Sequence, residues 1–187
     1  MNLNSNSTNQ KKNSRKPPKT ISELYFQNIE KMESINIRLV KVLLYTGLRV
    51  SEVPSFFKYL YMFSKISSSI AIVTGKGNKE RYVFVSPRIQ KDIHYILNNK
   101  LTVIDCSRWT IYRMVKEAGK ELGYPSLHPH QCRHTFATRL LNKYRVPIKH
   151  IQVLLGHSDI RTTGNIYLHP DTQTLQESIN SLVFGVV

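Results

Sequence analysis

The chain has 187 residues, with 27 Lys and Arg against 12 Asp and Glu, which gives a formal net charge of +15 at pH 7. This length suits one domain with a buried core, and the basic balance favours a polyanionic partner, DNA or RNA first, over a merely basic soluble protein. No apolar run approaches the roughly 20 residues of a membrane span and no apolar signal segment begins the chain, so we expect a cytoplasmic protein without a membrane partner.

The first twenty residues differ in composition from the rest of the chain. They include five basic residues and no acidic one, with Pro17-Pro18 close to their end. Such a segment buries too little apolar surface to fold, so residues 1–20 are predicted to be a disordered basic arm or linker. Nonspecific phosphate contact and a plain solvated tail are equally good interpretations of it.

Apolar spacing next predicts two helices, over 24–32 and 37–44, the second buried on most sides and ended by Gly47. β-Branched residues around 70–74 and 81–85, joined by a Gly-rich turn, predict an antiparallel hairpin. The predicted fold class is mainly α with a small antiparallel β-sheet, that is α+β. Beyond Pro87 helical periodicity dominates, and the predicted helices lie near 88–98, 108–122, 129–143, 147–155 and 172–184.

Two basic residues stand where the backbone presents them to an anion. Arg49 follows Gly47 at a point where one predicted helix has ended and we expect another to begin. A helix N-terminus and a guanidinium together attract negative charge. Lys76 stands between two glycines at the hairpin tip and can reach into a groove. Taken singly, a surface Arg49 paired with Glu52 and a solvated Lys76 are the more common outcomes.

A polar run follows in the predicted helix 129–143. His130 and Arg133 are three residues apart and so share a helix face, with His134 beside them. One imidazole and one guanidinium can converge on a single phosphate, of which the guanidinium binds two oxygens. A zinc site of the metalloprotease type is not expected, since Gln131 stands where that motif has its catalytic Glu.

The last candidates lie near the C-terminal end. Gly156 ends a predicted helix and leaves His157 on the turn, before Ser158-Asp159, which can cap a further helix. Most tyrosines are packing groups with a hydrogen-bonded tip. Tyr167 is set apart from the others by its position ten residues after His157, just before His169-Pro170.

Four sequence blocks occur in an order that resembles the tyrosine recombinases, or phage integrases. The resemblance covers roughly residues 20–170 and implies the catalytic-domain fold of these DNA breaking-rejoining enzymes. It implies a site-specific recombinase or integrase that acts on double-stranded DNA in a synaptic tetramer, associated with the nucleoid and assisted by accessory DNA-bending proteins. The blocks are Thr46-Gly47-Leu48-Arg49-Val50-Ser51-Glu52, Gly75-Lys76-Gly77-Asn78-Lys79-Glu80-Arg81, His130-Gln131-Cys132-Arg133-His134-Thr135-Phe136-Ala137-Thr138 and Leu155-Gly156-His157-Ser158-Asp159 through Tyr167.

The resemblance also implies a role for each catalytic position. Tyr167 would attack a DNA phosphate to form a 3′-phosphotyrosyl link and release a 5′-hydroxyl, and a free phenol with a pKa of about 10 needs activation for this step. No metal and no nucleotide cofactor is implied, because the phosphotyrosine keeps the bond energy. The other implied roles are binding of the nonbridging oxygens by Arg49 and Arg133, protonation of the leaving oxygen by Lys76, general-base action by His130 and a phosphate hydrogen bond from His157.

The resemblance divides the chain into a catalytic domain at 21–170 and a C-terminal helical tail at 171–187, which docks on a neighbouring protomer or packs on its own chain.

Pro54 and Cys132 depart from the family's usual apolar residues, and Pro54 bears on the packing around Arg49. Twenty disordered residues cannot supply a core-binding domain, so we expect either a catalytic-domain fragment or a reduced member of the family, with weak DNA affinity. A DNA-binding regulator of the same fold and a type IB topoisomerase are the alternative functions.

Overall fold

The computed structural model describes residues 19–63, 69–75, 77–99 and 103–156. The prediction of a mainly helical fold with a small antiparallel sheet is confirmed. The predicted helix 172–184 and the arm 1–20, apart from its last two residues, lie outside the described residues. The elements are α1 (Glu23–Lys31), α2 (Ile35–Thr46), α3 (Val53–Met62), β1 (Ile70–Thr74), β2 (Glu80–Phe84), α4 (Gln90–Asn98), α5 (Arg108–Glu121), α6 (Pro129–Asn142) and α7 (Ile148–Leu155), with short 3₁₀ turns over Val50–Glu52 and Pro87–Ile89.

Helix α2 forms the centre of the core because apolar side chains occupy most of its circumference. Leu39, Val40 and Leu43 are fully buried, and α2 packs against α4, α5 and α6. The Ser34 hydroxyl accepts a hydrogen bond from the Ile37 amide at 3.3 Å and caps the start of the helix. The prediction of a helix buried on most sides is therefore confirmed.

A second apolar cluster fastens α7 to α6. Ile151, Leu154 and Leu155 of α7 are buried together with Leu140 of α6, and Phe84 of β2 packs against this cluster. Burial of such side chains stabilises the contact by about 1.5–3 kcal/mol for each large residue. The C-terminal end of α7 is thereby held close to the hairpin.

The two strands form the predicted hairpin, with β2 beginning one residue earlier than expected. Their antiparallel register places Thr74 opposite Glu80. The Gly75 amide donates to the Lys79 carbonyl at 2.8 Å and closes the turn. Strand β1 packs on α3 through its buried side chains, including Val73. The Thr74 amide donates a hydrogen bond to the Ser55 hydroxyl at 3.3 Å, so the turn is anchored close to the start of that helix.

Both departures from the family pattern fit the structure. Pro54 lies in the first turn of α3, where its missing N–H removes no helical hydrogen bond. Cys132 is fully buried, and burial raises the pKa of its thiol to about 12, so it behaves as an apolar side chain. Within the described ranges, no helix combines the length and apolar character that a membrane crossing requires.

We expect Gly47→Ala to lower the free energy of unfolding by about 2–4 kcal/mol. Gly47 ends α2 with a φ of 62°, and a Cβ there would lie 2.4 Å from Cδ1 of Phe136. Gly123 is a matched control, because its φ is 64° but no described atom lies within 4 Å of a Cβ. Gly123→Ala should therefore carry only the backbone cost, about 1–2 kcal/mol. Urea unfolding measures both, and equal losses would contradict a steric role of Phe136.

Candidate active site

Glu52 is a fully buried carboxylate at which charged side chains from separate segments meet. Its Oε2 accepts a hydrogen bond from the Arg49 amide, and its Oε1 accepts one from Arg49 Nη1, both at 2.8 Å. Glu52 therefore orients Arg49, whose side chain remains 39% exposed. The ion pair that the sequence left open as an alternative is present, and it leaves the guanidinium accessible.

Arg81 of β2 is a second partner of Glu52, and sequence reasoning did not select it as a site residue. Its Nε and Nη2 donate to the two carboxylate oxygens at 3.2 and 2.7 Å. Successive strand residues alternate between faces, so Arg81 shares a face with the buried Val83. A basic residue in a core-facing register requires a buried anion, and this was the sequence signal that could have identified the pair.

Arg133 of α6 is the third cation, and its side chain is 8% exposed. Its Nη1 lies 3.9 Å from Oε2 of Glu52 and donates to the Gly47 carbonyl at 2.7 Å. Burial, followed by the neighbouring charges of Arg49 and Arg81, lowers the pKa of Arg133 to about 10. This pKa keeps the guanidinium charged at neutral pH. We call Glu52 and these three arginines the Glu52 cluster.

The C-terminal end of α7 contacts all three arginines. The successive carbonyls of residues 154–156 accept hydrogen bonds from Arg81, Arg133 and Arg49, in that order. Carbonyls of a last helical turn lack intrahelical donors and carry the negative end of the helix dipole, so they favour cations. The three guanidiniums outnumber the one carboxylate, and the Glu52 cluster therefore keeps a net positive charge that suits a phosphate.

The partners of Glu52 keep it ionised. Burial acts to raise the pKa of Glu52, but the hydrogen bonds and charge of Arg81, with further hydrogen bonds from Arg49, hold it below the ordinary value. A carboxylate with a lowered folded pKa stabilises the fold above its unfolded pKa and loses this contribution as pH falls through the folded pKa. The cluster is therefore expected to be intact at neutral pH and to weaken in acid.

The histidines of α6 lie near its N-terminal end. His128 caps the helix, since its Nδ1 accepts a hydrogen bond from the Gln131 amide at 3.2 Å. Burial lowers the pKa of His128, and the nearby His130 acts in the same direction. His130 itself is exposed in the first turn, whereas His134 is half-buried. The structure therefore places Arg133 inside the cluster and His130 on accessible surface one turn before it.

Three predicted site residues lie outside the described residues, namely Lys76, His157 and Tyr167. Two of them directly follow glycines that lie close to the Glu52 cluster. A Cβ on Gly75 would lie 3.4 Å from Oε1 of Glu52, and a Cβ on Gly156 would lie 3.7 Å from Nη1 of Arg49. The chain positions that precede Lys76 and His157 thus flank one cluster, although they are far apart in sequence.

Known proteins are similar to this chain over most of its length. The model of the phage integrase family matches residues 18–174. Tyrosine recombinase XerC from Staphylococcus aureus is 33% identical over 173 residues, which cover 83% of this chain and 56% of that relative. The chain therefore spans about half the length of the curated relatives it matches.

Solved structures show the same similarity. XerA recombinase has a TM-score of 0.64 and 27% identity, covering 91% of this chain and 65% of that protein. XerH site-specific recombinase, solved in a pre-cleavage complex with its difH substrate, has a TM-score of 0.57 and 24% identity over 89% of this chain and 55% of that protein. The latter similarity is one of fold.

Proposed function

Because the chain belongs to the phage integrase family, we propose that it is a site-specific recombinase or integrase that cleaves and rejoins double-stranded DNA through a 3′-phosphotyrosyl intermediate. The observation that carries this proposal is the convergence of Arg49 and Arg133, from different segments, on one buried carboxylate and one helix end. Fixed cations in a partly dry site stabilise the charge that develops on a phosphate during transfer.

The exposures of the two arginines support different positions in phosphate binding. A guanidinium has five N–H donors, and bonds to described residues use two of those of Arg49 and two of those of Arg133. Arg49 is 39% exposed and Arg133 is 8% exposed. We assign both guanidiniums to the nonbridging oxygens, with Arg49 contacting them from the exposed side and Arg133 from the buried side.

In the proposed reaction the phenol oxygen of Tyr167 attacks the phosphorus and the bond to the 5′ oxygen breaks. His130 takes the phenol proton, Lys76 supplies a proton to the departing 5′ oxygen, and His157 donates a hydrogen bond to the phosphate. One phosphorus–oxygen bond replaces another, so a free 5′-hydroxyl can reverse the step. This scheme requires no metal ion and no nucleotide cofactor.

Assembly on DNA is part of the proposal. The formal charge of +15 supports binding to duplex DNA, and XerH, which has the same fold, was solved bound to its substrate. We propose residues 21–170 as the catalytic domain, residues 1–20 as a basic arm, and residues 171–187 as a tail that packs in cis or docks in trans. Strand exchange then takes place in a synaptic tetramer, with accessory DNA-bending proteins as further partners.

Covalent trapping tests this function directly. The chain is incubated with short nicked duplexes of randomised sequence, in which cleavage near the nick releases a fragment that diffuses away and leaves the protein attached. Complexes that survive denaturation are digested, and the DNA-linked peptide is identified by mass. We expect that peptide to contain Tyr167. Attachment through another residue, or DNA binding without any covalent complex, would contradict the proposal and favour a DNA-binding regulator.

A further inference from the structure

Arg81 has no part in the proposed chemistry, yet it is extensively bonded within the Glu52 cluster. Its Nε and Nη2 bind the two oxygens of Glu52, and its Nη1 donates to the Leu154 carbonyl at 2.6 Å and to the Tyr82 carbonyl at 3.5 Å. Four of its five N–H donors are thus bound to described residues. Since its side chain is also only 11% exposed, this guanidinium is poorly suited to bind a phosphate itself.

Glu52 and a DNA phosphate compete for the same cations. Both carboxylate oxygens bind Arg49, one through the amide and one through Nη1, and Arg133 lies 3.9 Å away. A buried carboxylate needs bonded donors, because burial otherwise drives it towards its neutral form. Without Arg81, Glu52 would bind Arg49 and Arg133 more strongly. These are the two arginines that the proposed function assigns to the phosphate.

We propose that Arg81 is a positioning residue that neutralises Glu52, so that Arg49 and Arg133 keep their remaining donors for the DNA phosphate. This inference rests on the proposed function. The bond from Arg81 to the Leu154 carbonyl holds the guanidinium against α7 while its other edge holds both oxygens of Glu52. These contacts come from three separate nitrogens of a planar fork, whereas a lysine carries all its donors on one nitrogen, so both shape and charge matter.

The first test compares cleavage at two scissile groups, a normal phosphodiester and a methylphosphonate, in a duplex recovered by covalent trapping. Arg81→Met removes the guanidinium and keeps a long apolar stem, and we expect it to slow cleavage of the normal phosphodiester by about 100-fold. A methylphosphonate at the cleaved position replaces a charged nonbridging oxygen by a methyl group and needs less cationic stabilisation. Its cleavage should therefore fall by less than about 10-fold. Arg81→Lys should recover part of the phosphodiester rate.

A matched control separates this role from support of the fold. Arg139 is also mostly buried, at 17% exposure, and is ion-paired, but its partner is Glu23 of α1. Arg139→Met should affect both substrates equally. Equal losses on both substrates for Arg81→Met would overturn the inference, because they would show that Arg81 contributes only to stability.

The pH dependence of unfolding in acid gives a second measurement, which requires no DNA cleavage. The charged groups that face Glu52 in the described structure are Arg49, Arg81 and Arg133. Burial acts to raise the pKa of Glu52, but the hydrogen bonds and charge of Arg81, followed by the hydrogen bonds of Arg49, hold it below its ordinary value. Arg81→Met should therefore raise this pKa and shift the loss of stability to higher pH. Arg139→Met should leave the profile unchanged.

The cleavage comparison and the acid unfolding profile together distinguish failure of the inference from failure of the proposed function. If the parent chain cleaves neither substrate, the proposed function fails, and the acid profile alone decides whether Arg81 neutralises Glu52. Coincident acid profiles for Arg81→Met and the parent chain would overturn the inference in either case.

Discussion

A Tyr167→Phe variant is expected to bind duplex DNA as the parent chain does, but to form no covalent protein–DNA complex. The change removes one oxygen, which is the atom that bonds to phosphorus in the proposed reaction, and it alters neither the ring nor the charge of the chain. Binding should persist because the basic side chains that neutralise DNA phosphates are unchanged. The covalent product should fall to the detection limit.

The measurement is the yield of complexes that survive denaturation on nicked duplexes, alongside the affinity measured by gel shift. The chain contains ten tyrosines, so a second tyrosine variant is needed as a control. Tyr61 of α3 is suitable, because its side chain is 63% exposed and loss of its hydroxyl should leave the core unchanged. Tyr61→Phe should give the parent yield. Covalent product from Tyr167→Phe would refute the assignment of the nucleophile.

The second large effect is expected at Glu52. Glu52→Gln should lower the free energy of unfolding by about 3–5 kcal/mol at neutral pH, because it leaves Arg81 and Arg133 buried beside a neutral amide. The amide has one acceptor oxygen where the carboxylate has two, and its NH2 group is a donor, so it cannot accept all four hydrogen bonds that now come from Arg49 and Arg81. Arg49 should lose its orientation as well, and covalent trapping should fall with it.

Asp92 offers a matched control for this prediction. Its carboxylate is also nearly buried and pairs with Arg38 at 2.8 Å. Burial raises the pKa of Asp92 despite that pair, whereas the pKa of Glu52 is lowered. A raised carboxylate pKa means that the fold favours the charge less than water does, so Asp92→Asn should cost less stability. Urea unfolding of both variants measures the comparison, and an equal or larger loss at Asp92 would contradict the argument.

Much of the local structure was predictable because local chemistry decides it. The apolar circumference of α2, its end at Gly47 and the hairpin between 70 and 85 follow from side-chain periodicity and backbone preferences over a few residues. The same holds for α5, α6 and α7, whose observed ends lie within one residue of those predicted. The four sequence blocks also predicted Arg49 and Arg133 as site residues. The structure brings these two side chains together, and their catalytic roles stay predictions.

The partners of these residues were harder to predict. Arg49 and Glu52 are neighbours on one turn, so their pair was considered from sequence, but only as a surface contact. Glu52 and Arg81 are 29 residues apart, so the second pair was not predictable from local sequence. No local feature indicates which strand residue contacts which turn. The assignments of Lys76, His157 and Tyr167 stay predictions, and covalent trapping tests the last of them.

The sequence by itself therefore determined the order and kind of most of the described elements, the positive charge and the family of the chain. Only the tertiary structure decided that Glu52 is buried, that Arg81 forms an ion pair with it, and that three arginines share the carbonyls at the end of α7. The physical reason is that helices and turns form from interactions within a few residues, whereas a buried ion pair depends on how separate elements pack and exclude water.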